Sequence, residues 1–217
     1  MTAMNANGIT IEYEVHGSAN DPALILIRGL GTQLIHWPQV MIERLVVAGF
    51  YVVIFDNRDV GLSTKFEAAG ASDLADLTAR QAAGESIDVP YTLEDMAGDV
   101  IGLMDGLNID RAHIAGISMG GMMAQVLAAK HSVRLRSMAA IMSHSGNPDL
   151  PQADPAARAA LMDTPEDPND REAAIEAIIA SGQVLSGPGY PTPDKDRRKM
   201  AERAYDRCYC PDGRLRQ

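Results

Sequence analysis

The chain has 217 residues, with 29 acidic against 19 basic side chains and a formal net charge of −10. Hydrophobic residues make up 46% and charged residues 22%, the profile of a globular protein with one large domain or a core plus an appendage. The acidic balance argues against a broad nucleic-acid-binding face, and no run approaches the ~18 apolar residues of a membrane-spanning helix. The start, MTAMNANGIT, has neither the basic opening nor the apolar stretch of a secretory leader, so the expected setting is the cytoplasm. Two cysteines, Cys208 and Cys210, are too few for a disulfide framework or a structural zinc site. No metal and no cofactor are expected.

In chain order, Ile9–His16 (ITIEYEVH) alternates apolar and polar side chains as a half-buried strand does, and residues 17–22 read as a turn. Ala23–Ile27 (ALILI) is continuously apolar, which suits a strand covered on both faces. Gly29-Leu30-Gly31 follows, then helical apolar spacing over Trp37–Ala48 with a stop at Gly49. Tyr51–Phe55 (YVVIF) is a second buried strand, ended by the polar turn Asp56-Asn57-Arg58-Asp59. Residues 64–90 carry no clear period. Thr92 with Asp95 three positions on is a capping-box-like pair that opens a helix over Leu93–Leu107. Ala112–Ile117 is a short apolar strand, followed by an Ala- and Met-rich helix to about Lys130 and a further strand, Leu135–Met142.

The alternation of strands and helices predicts an α/β architecture with a mostly parallel sheet. After about Asn147 the character changes to a Pro- and Asp-bearing linker, Pro148 to Pro155, and then to helices over Ala157–Met162, Arg171–Ala180 and Asp196–Tyr209, with 182–194 as a loop. The expected division is a core over 1–147 and a helical cap or lid over 148–217.

The sharpest chemical signal is Gly116-Ile117-Ser118-Met119-Gly120, a G-x-S-x-G between an apolar strand (AHIAGI) and a helix (MGGMMAQVLAAK). That context is the strand–turn–helix of a nucleophile elbow, a turn so tight that its flanks need glycine and its serine projects above the sheet. The second signal is the glycine-lined loop after ALILI. An oxyanion hole needs two N–H donors about 2.7–3.1 Å from the developing charge, and the Leu30 and Met119 amides are the pair expected by position. Gly29 borders that hole, and His36 and Trp37 beside it are candidates to line an acyl pocket, although Trp37 serves equally as a core anchor. Asp56 and Arg58 read better as structural: Asp56 hydrogen-bonding the turn and Arg58 pairing with acidic neighbours.

These stretches resemble the α/β-hydrolase family. LILIRGLGTQLIHWP is similar to its oxyanion strand and loop, with Arg28-Gly29 where His-Gly is usual. VVIFDNRDVGLST resembles its Asp-x-Arg-Gly-x-Gly-x-Ser turn, with Asp59 in place of the first Gly, and HIAGISMGG matches its elbow. The Asn-Arg-Asp form of the turn points to small esterases and methylesterases. The resemblance covers residues 9 to about 147, and it implies an acyl-enzyme at Ser118 and a small-molecule ester as substrate.

In that family the acid and the histidine follow the serine in chain order. Only His131 and His144 lie beyond Ser118. His131 is 13 residues along the elbow helix, about 20 Å away at 1.5 Å per residue, and His144, a candidate to touch the substrate, follows a strand expected to neighbour the elbow strand, which is not the geometry of a base. The expectation is a chain without the family's C-terminal strands, acid and histidine, carrying little or no turnover unless that segment is supplied. Its unfinished sheet edge would be open to that segment or to a second copy. Two alternatives stand beside the esterase: a cofactor-free perhydrolase or haloperoxidase using the same serine, and a non-catalytic binding protein on a hydrolase scaffold.

Overall fold

The computed structural model describes residues 2–147, 149–151, 153–163, 165, 167, 169–187 and 189–217, so Pro148, at the expected division, lies outside them. The chain forms two units, one of Met1–Ser145 with Asp212–Gln217, the other of Gly146–Pro211. Residues 212–217, expected in the cap, thus pack with the first unit. No helix among the described residues is long and apolar enough to cross a membrane.

The first unit is built on a six-stranded mixed sheet. β1 (Thr2–Ala6), β2 (Ile9–His16), β3 (Ala23–Ile27), β4 (Tyr51–Phe55), β5 (Ala112–Ile117) and β6 (Leu135–Ile141) lie in the order β1-β2-β4-β3-β5-β6. The β4-β3-β5-β6 run is parallel; β1 and β2 are antiparallel to each other and β2 to β4. β1 was not expected from the sequence. It exists because Asn7 (φ 51°) and Gly8 (φ 79°) turn the chain with two successive positive φ angles, the twist a two-residue hairpin needs.

Helices pack on the sheet. α1 (Gln39–Val47) packs on β4, α3 (Leu93–Gly106) on β1, and α4 (Met119–Lys130) on β5 and β6, while α2 (Leu74–Ala82) lies in the stretch that showed no period. Alternation along the strands divides the buried side chains between two faces. Ile25, Ile27, Val53 and Phe55 join Met96, Val100, Leu103, Met123 and Leu127 of α3 and α4 in one cluster, and Leu24, Leu26, Val52 and Ile54 point the other way. The capping box opens α3 as expected: the Asp95 N–H donates to Thr92 Oγ1 at 3.3 Å and the Thr92 N–H to Asp95 Oδ2 at 2.8 Å. These hydrogen bonds from Thr92 hold the Asp95 carboxyl below its ordinary value.

One boundary differs for a clear reason. The helix expected from Trp37 begins at Gln39, because Pro38 occupies the N-cap with φ −61° and Trp37 before it is extended at ψ 124°, after a 3₁₀ turn over Leu34–His36; the residue before a proline is disfavoured in the helical region.

The second unit holds α5 (Pro155–Met162), α6 (Arg171–Leu185) and α7 (Asp194–Cys208). α6 runs on through residues expected as loop; Ile175 and Ile179 at i, i+4 spacing place one of its faces against Ala201 and Tyr205 of α7. Around that contact Arg171 pairs with Asp206 at 2.8 Å, and Arg198 pairs with Glu172 and Glu176, all exposed. A last helix, α8 (Pro211–Arg216), leads back into the first unit.

Candidate active site

Register places the site. β3 and β5 are parallel neighbours with Ile27 opposite Gly116, so the residues two steps further along each chain come together just beyond the sheet. A methyl group built on Gly29 would lie 3.0 Å from Ser118 Cβ. β4 flanks β3 on its other side, with Ile54 opposite Leu26, which sets the polar turn 56–59 next to the same loop. Crevices at the carboxyl ends of parallel strands are where open α/β sheets bind ligands.

Ser118 adopts φ 55° and ψ −122°, a region that costs L-residues on the order of 1–3 kcal/mol and persists only where the surroundings impose it. The surroundings do so here. The Ser118 N–H donates to the Ile141 carbonyl of β6 at 2.9 Å, and its carbonyl accepts from Gly121 and Met122 as α4 begins. A Cβ on Gly116 would stand 2.0 Å from the Gly120 carbonyl oxygen, and one on Gly120 would stand 2.4 Å from that of Ile27. No side chain fits at either position, so the glycines of the G-x-S-x-G pattern are steric requirements of the turn.

Leu30 is half-buried and Met119 buried at the first position of α4. Among the described residues no hydrogen bond engages either amide. The loop between them and the polar turn is tied down. Asn57 Nδ2 donates to the Arg28 carbonyl at 3.1 Å, the Leu34 N–H donates to Asp56 Oδ1 at 2.7 Å, and Thr32 Oγ1 donates to the Gly29 carbonyl at 2.8 Å.

Arg28, Trp37 and His36 lie along this loop. The Arg28 guanidinium sits 4.8 Å above the Trp37 ring, and burial pulls its pKa down to about 10, which leaves it protonated at neutral pH. Trp37 is 6% exposed, a packed ring. His36 is half-buried with Nδ1 3.0 Å from the Gln33 carbonyl. His144 is exposed beyond β6, and its carbonyl accepts from Gln125 Nε2 at 3.2 Å. His131 caps the far end of α4. Among the described residues Ser118 Oγ has no hydrogen-bond partner, so no base touches it, and no three His, Cys, Asp or Glu side chains gather as a metal would require.

The polar turn is the part sequence reasoning undervalued. Asp56 and Arg58 are buried and structural: the Asp56 carboxylate also accepts from the Leu62 N–H at 2.9 Å, and Arg58 grips Asp99 with two bonds of 2.7 Å. Burial lifts the Asp99 carboxyl above its ordinary value despite the Arg58 and Asn7 hydrogen bonds that oppose the rise. Asp59 stands at φ 64°, a left-handed position suited to the glycine of the resembled pattern and tolerated by Asp. Its carboxylate accepts from Arg216 Nε and Nη2 at 2.9 and 2.8 Å, from Tyr91 Oη at 2.7 Å and from the Phe66 N–H at 2.8 Å. Burial alone would raise the Asp59 carboxyl; the Arg216, Phe66 and Tyr91 hydrogen bonds outweigh it and hold the group below its ordinary value. Burial and the Asp59 carboxylate push the Tyr91 phenol upward. Nothing local announces Arg216 as the partner, 157 residues away.

Comparison with known proteins agrees with this fold. A family model described as alpha/beta hydrolase fold matches residues 22–169. The chain belongs to the alpha/beta hydrolase family. It is 29% identical over 134 residues to rhodomycin D methylesterase DnrP of Streptomyces peucetius, covering 62% of this chain and 39% of that protein. It is 31% identical over 135 residues to 3-oxoadipate enol-lactonase 1 of Acinetobacter baylyi, covering 62% and 41%. The matched region thus spans about two fifths of the length of these relatives. The enol-lactonase structure from Burkholderia xenovorans LB400 superposes with a TM-score of 0.64 at 25% identity, over 99% of this chain and 71% of that one.

Proposed function

We propose that this chain carries the nucleophile and oxyanion hole of a serine hydrolase that cleaves carboxylic esters through an acyl-enzyme at Ser118. The observation that carries the reading is the strained Ser118 backbone, held between the Ile141 carbonyl and α4, with two unengaged amides of Leu30 and Met119 flanking it. Ser118 Oγ attacks the ester carbonyl, the hydroxyl proton passes to a base, and the carbonyl oxygen becomes the anion that the Leu30 and Met119 N–H groups stabilise. Collapse expels the alkoxide, which takes the proton back from the base and leaves as the alcohol, with an ester remaining on Ser118; water then attacks that ester by the same steps, releasing the carboxylic acid and restoring the Ser118 hydroxyl. The methylesterase and enol-lactonase names among the relatives support ester or lactone C–O cleavage as the chemistry.

Turnover in this reading requires an imidazole that the described residues do not bring to Ser118. Acylation by p-nitrophenyl acetate, followed by peptide mapping, tests the assignment. The chain acquires one acetyl group on Ser118, slowly alone and faster with millimolar imidazole, whereas Ser118→Ala acquires none. Acetylation of equal extent in Ser118→Ala overturns the reading. Robust fluorophosphonate labelling of Ser118 without imidazole would show that a base reaches it in the chain as it stands. The unpartnered Ser118 Oγ also favours a second reading, ligand binding without catalysis; under it an ester binds with equal affinity to the chain and to Ser118→Ala, and neither is acylated.

A further inference from the structure

We propose that Gln217 is a positioning residue for the oxyanion loop, with the segment Asp212–Gln217 clasping that loop to the polar turn. The inference rests on the reading of Leu30 as an oxyanion donor.

Gln217 uses both ends of its side-chain amide. Oε1 accepts from the Gly31 N–H at 2.8 Å, and Nε2 donates to the Arg58 carbonyl at 2.6 Å. A planar group that accepts at one end and donates at the other can bridge an N–H on one loop to a C=O on the next; a carboxylate cannot donate and an ammonium cannot accept. The bridge reaches the middle of the loop. Asn57 fixes its start at the Arg28 carbonyl and Asp56 its end at the Leu34 N–H, and Gln217 fixes Gly31, the residue directly after Leu30.

Two neighbours hold the clasp in place. Arg216 binds Asp59 through Nε and Nη2 and donates from Nη1 to the Gly70 carbonyl at 2.7 Å; the side chains of this pair are 1% and 0% exposed. Arg214 lies over Gly31 so closely that a Cβ there would meet its Cγ and Cδ at 2.8 Å, and Gly31 has φ 63°. The loop backbone and the returning segment are therefore fitted to each other. Donors in an oxyanion hole act by being fixed in advance, within about half an ångström of the productive geometry. A side chain that sets the Leu30–Gly31 peptide sets the reach of the adjacent Leu30 N–H.

The test uses the full chain and phenylboronic acid. Ser118 Oγ forms a bond to boron, the hydroxyl proton passes to solvent, and the tetrahedral boronate presents an oxygen to the hole. Gln217→Ala, Gln217→Glu and Ser118→Ala are compared by adduct affinity, thermal midpoint and hydrogen exchange at the Gly31 amide. In Gln217→Ala the Gly31 amide exchanges at least tenfold faster and the boronate binds at least tenfold more weakly, with an unchanged midpoint. Gln217→Glu, which keeps the acceptor for Gly31 but not the donor to Arg58, falls between. Unchanged Gly31 exchange in Gln217→Ala overturns the clasp, and faster exchange with unchanged boronate affinity overturns its positioning role. If Ser118→Ala binds the boronate as the parent chain does, or the parent chain binds none, the serine reading itself falls and takes this inference with it.

Discussion

Arginine–carboxylate pairs occur in both units and do different work in each. In the first unit Arg216–Asp59 and Arg58–Asp99 lie under the loops that carry the site, with side chains no more than 5% exposed. In the second unit Arg171–Asp206 and the Arg198 pairs with Glu172 and Glu176 are 40% or more exposed. Geometry alone does not separate them, since Arg171 makes two 2.8 Å bonds to Asp206, as short as those of Arg216. Solvent does. An exposed pair exchanges good hydration for a screened attraction, whereas a buried pair that loses one partner leaves a bare charge in a low-dielectric interior. The buried pairs are thus best understood as devices that specify backbone position, and the second unit is held by its small apolar contact.

The largest expected effect lies in the Gly116–Gly120 turn of the first unit. Gly120→Ala pushes a methyl group against the carbonyl oxygens of Ile27 and Arg28, 2.4 and 2.7 Å from its ideal site. Neither backbone group can swing aside as a side chain would. A loss of about 4 kcal/mol or more is expected, read in a urea titration as a shifted midpoint or as failure to fold.

Next comes Asp59→Ala, which strands Arg216. Breaking a buried pair from one side costs about 3–5 kcal/mol, and the urea midpoint falls accordingly. A smaller loss, of the order seen for surface pairs, would show that water reaches Arg216 and would erase the distinction between the regions. Within the second unit, Ile175→Ala removes a fully buried side chain and costs about 2–5 kcal/mol, measured as loss of α6–α7 protection in hydrogen exchange.

The acid limb of the stability curve gives a finer test. The Asp59 carboxyl is held below its ordinary value, so its contribution is complete above the unfolded pKa of about 3.9 and is lost as pH falls through its lower folded value. Asp99, raised by burial, acts with the opposite sign: its contribution is complete below about 3.9 and declines as pH rises through its higher folded value. Asp59→Asn therefore flattens the loss of stability on acidification, and Asp99→Asn steepens it, in urea midpoints taken from pH 2 to 6. The smallest effect is at the surface. Asp206→Asn leaves the thermal midpoint unchanged, because Arg171 and Asp206 are fully hydrated when apart.

Much of the first unit was legible in local sequence. The strands Ile9–His16, Ala23–Ile27 and Tyr51–Phe55 have the bounds their apolar patterns predict, and Thr92 caps its helix through Asp95. The elbow was legible because the Gly116 requirement is set by Gly120, four positions on, although the Gly120 requirement comes from Ile27 at the end of β3. β1 was overlooked although Asn7-Gly8 carries a hairpin signal, since its five residues (TAMNA) include no Val, Ile or aromatic side chain. The reading of 182–194 as a loop overlaps the end of α6, which runs on to Leu185 beyond the face anchored by Ile175 and Ile179.

By itself the sequence determined the parallel sheet, the turn that strains Ser118 and the absence of a histidine at hydrogen-bonding range along the elbow helix. These follow from periodicity, from the close approach of Gly116 and Gly120, and from helical rise, which act between residues near in the chain. Only the tertiary structure decided why Asp59 stands where the family pattern has glycine, and what the chain's last residues do. Arg216 and Gln217 carry no local signal, and a buried carboxylate states only that a cation must reach it. Which of the chain's basic side chains does so, and which amide then meets Gly31, was settled when the fold brought positions some 160–190 residues apart into contact.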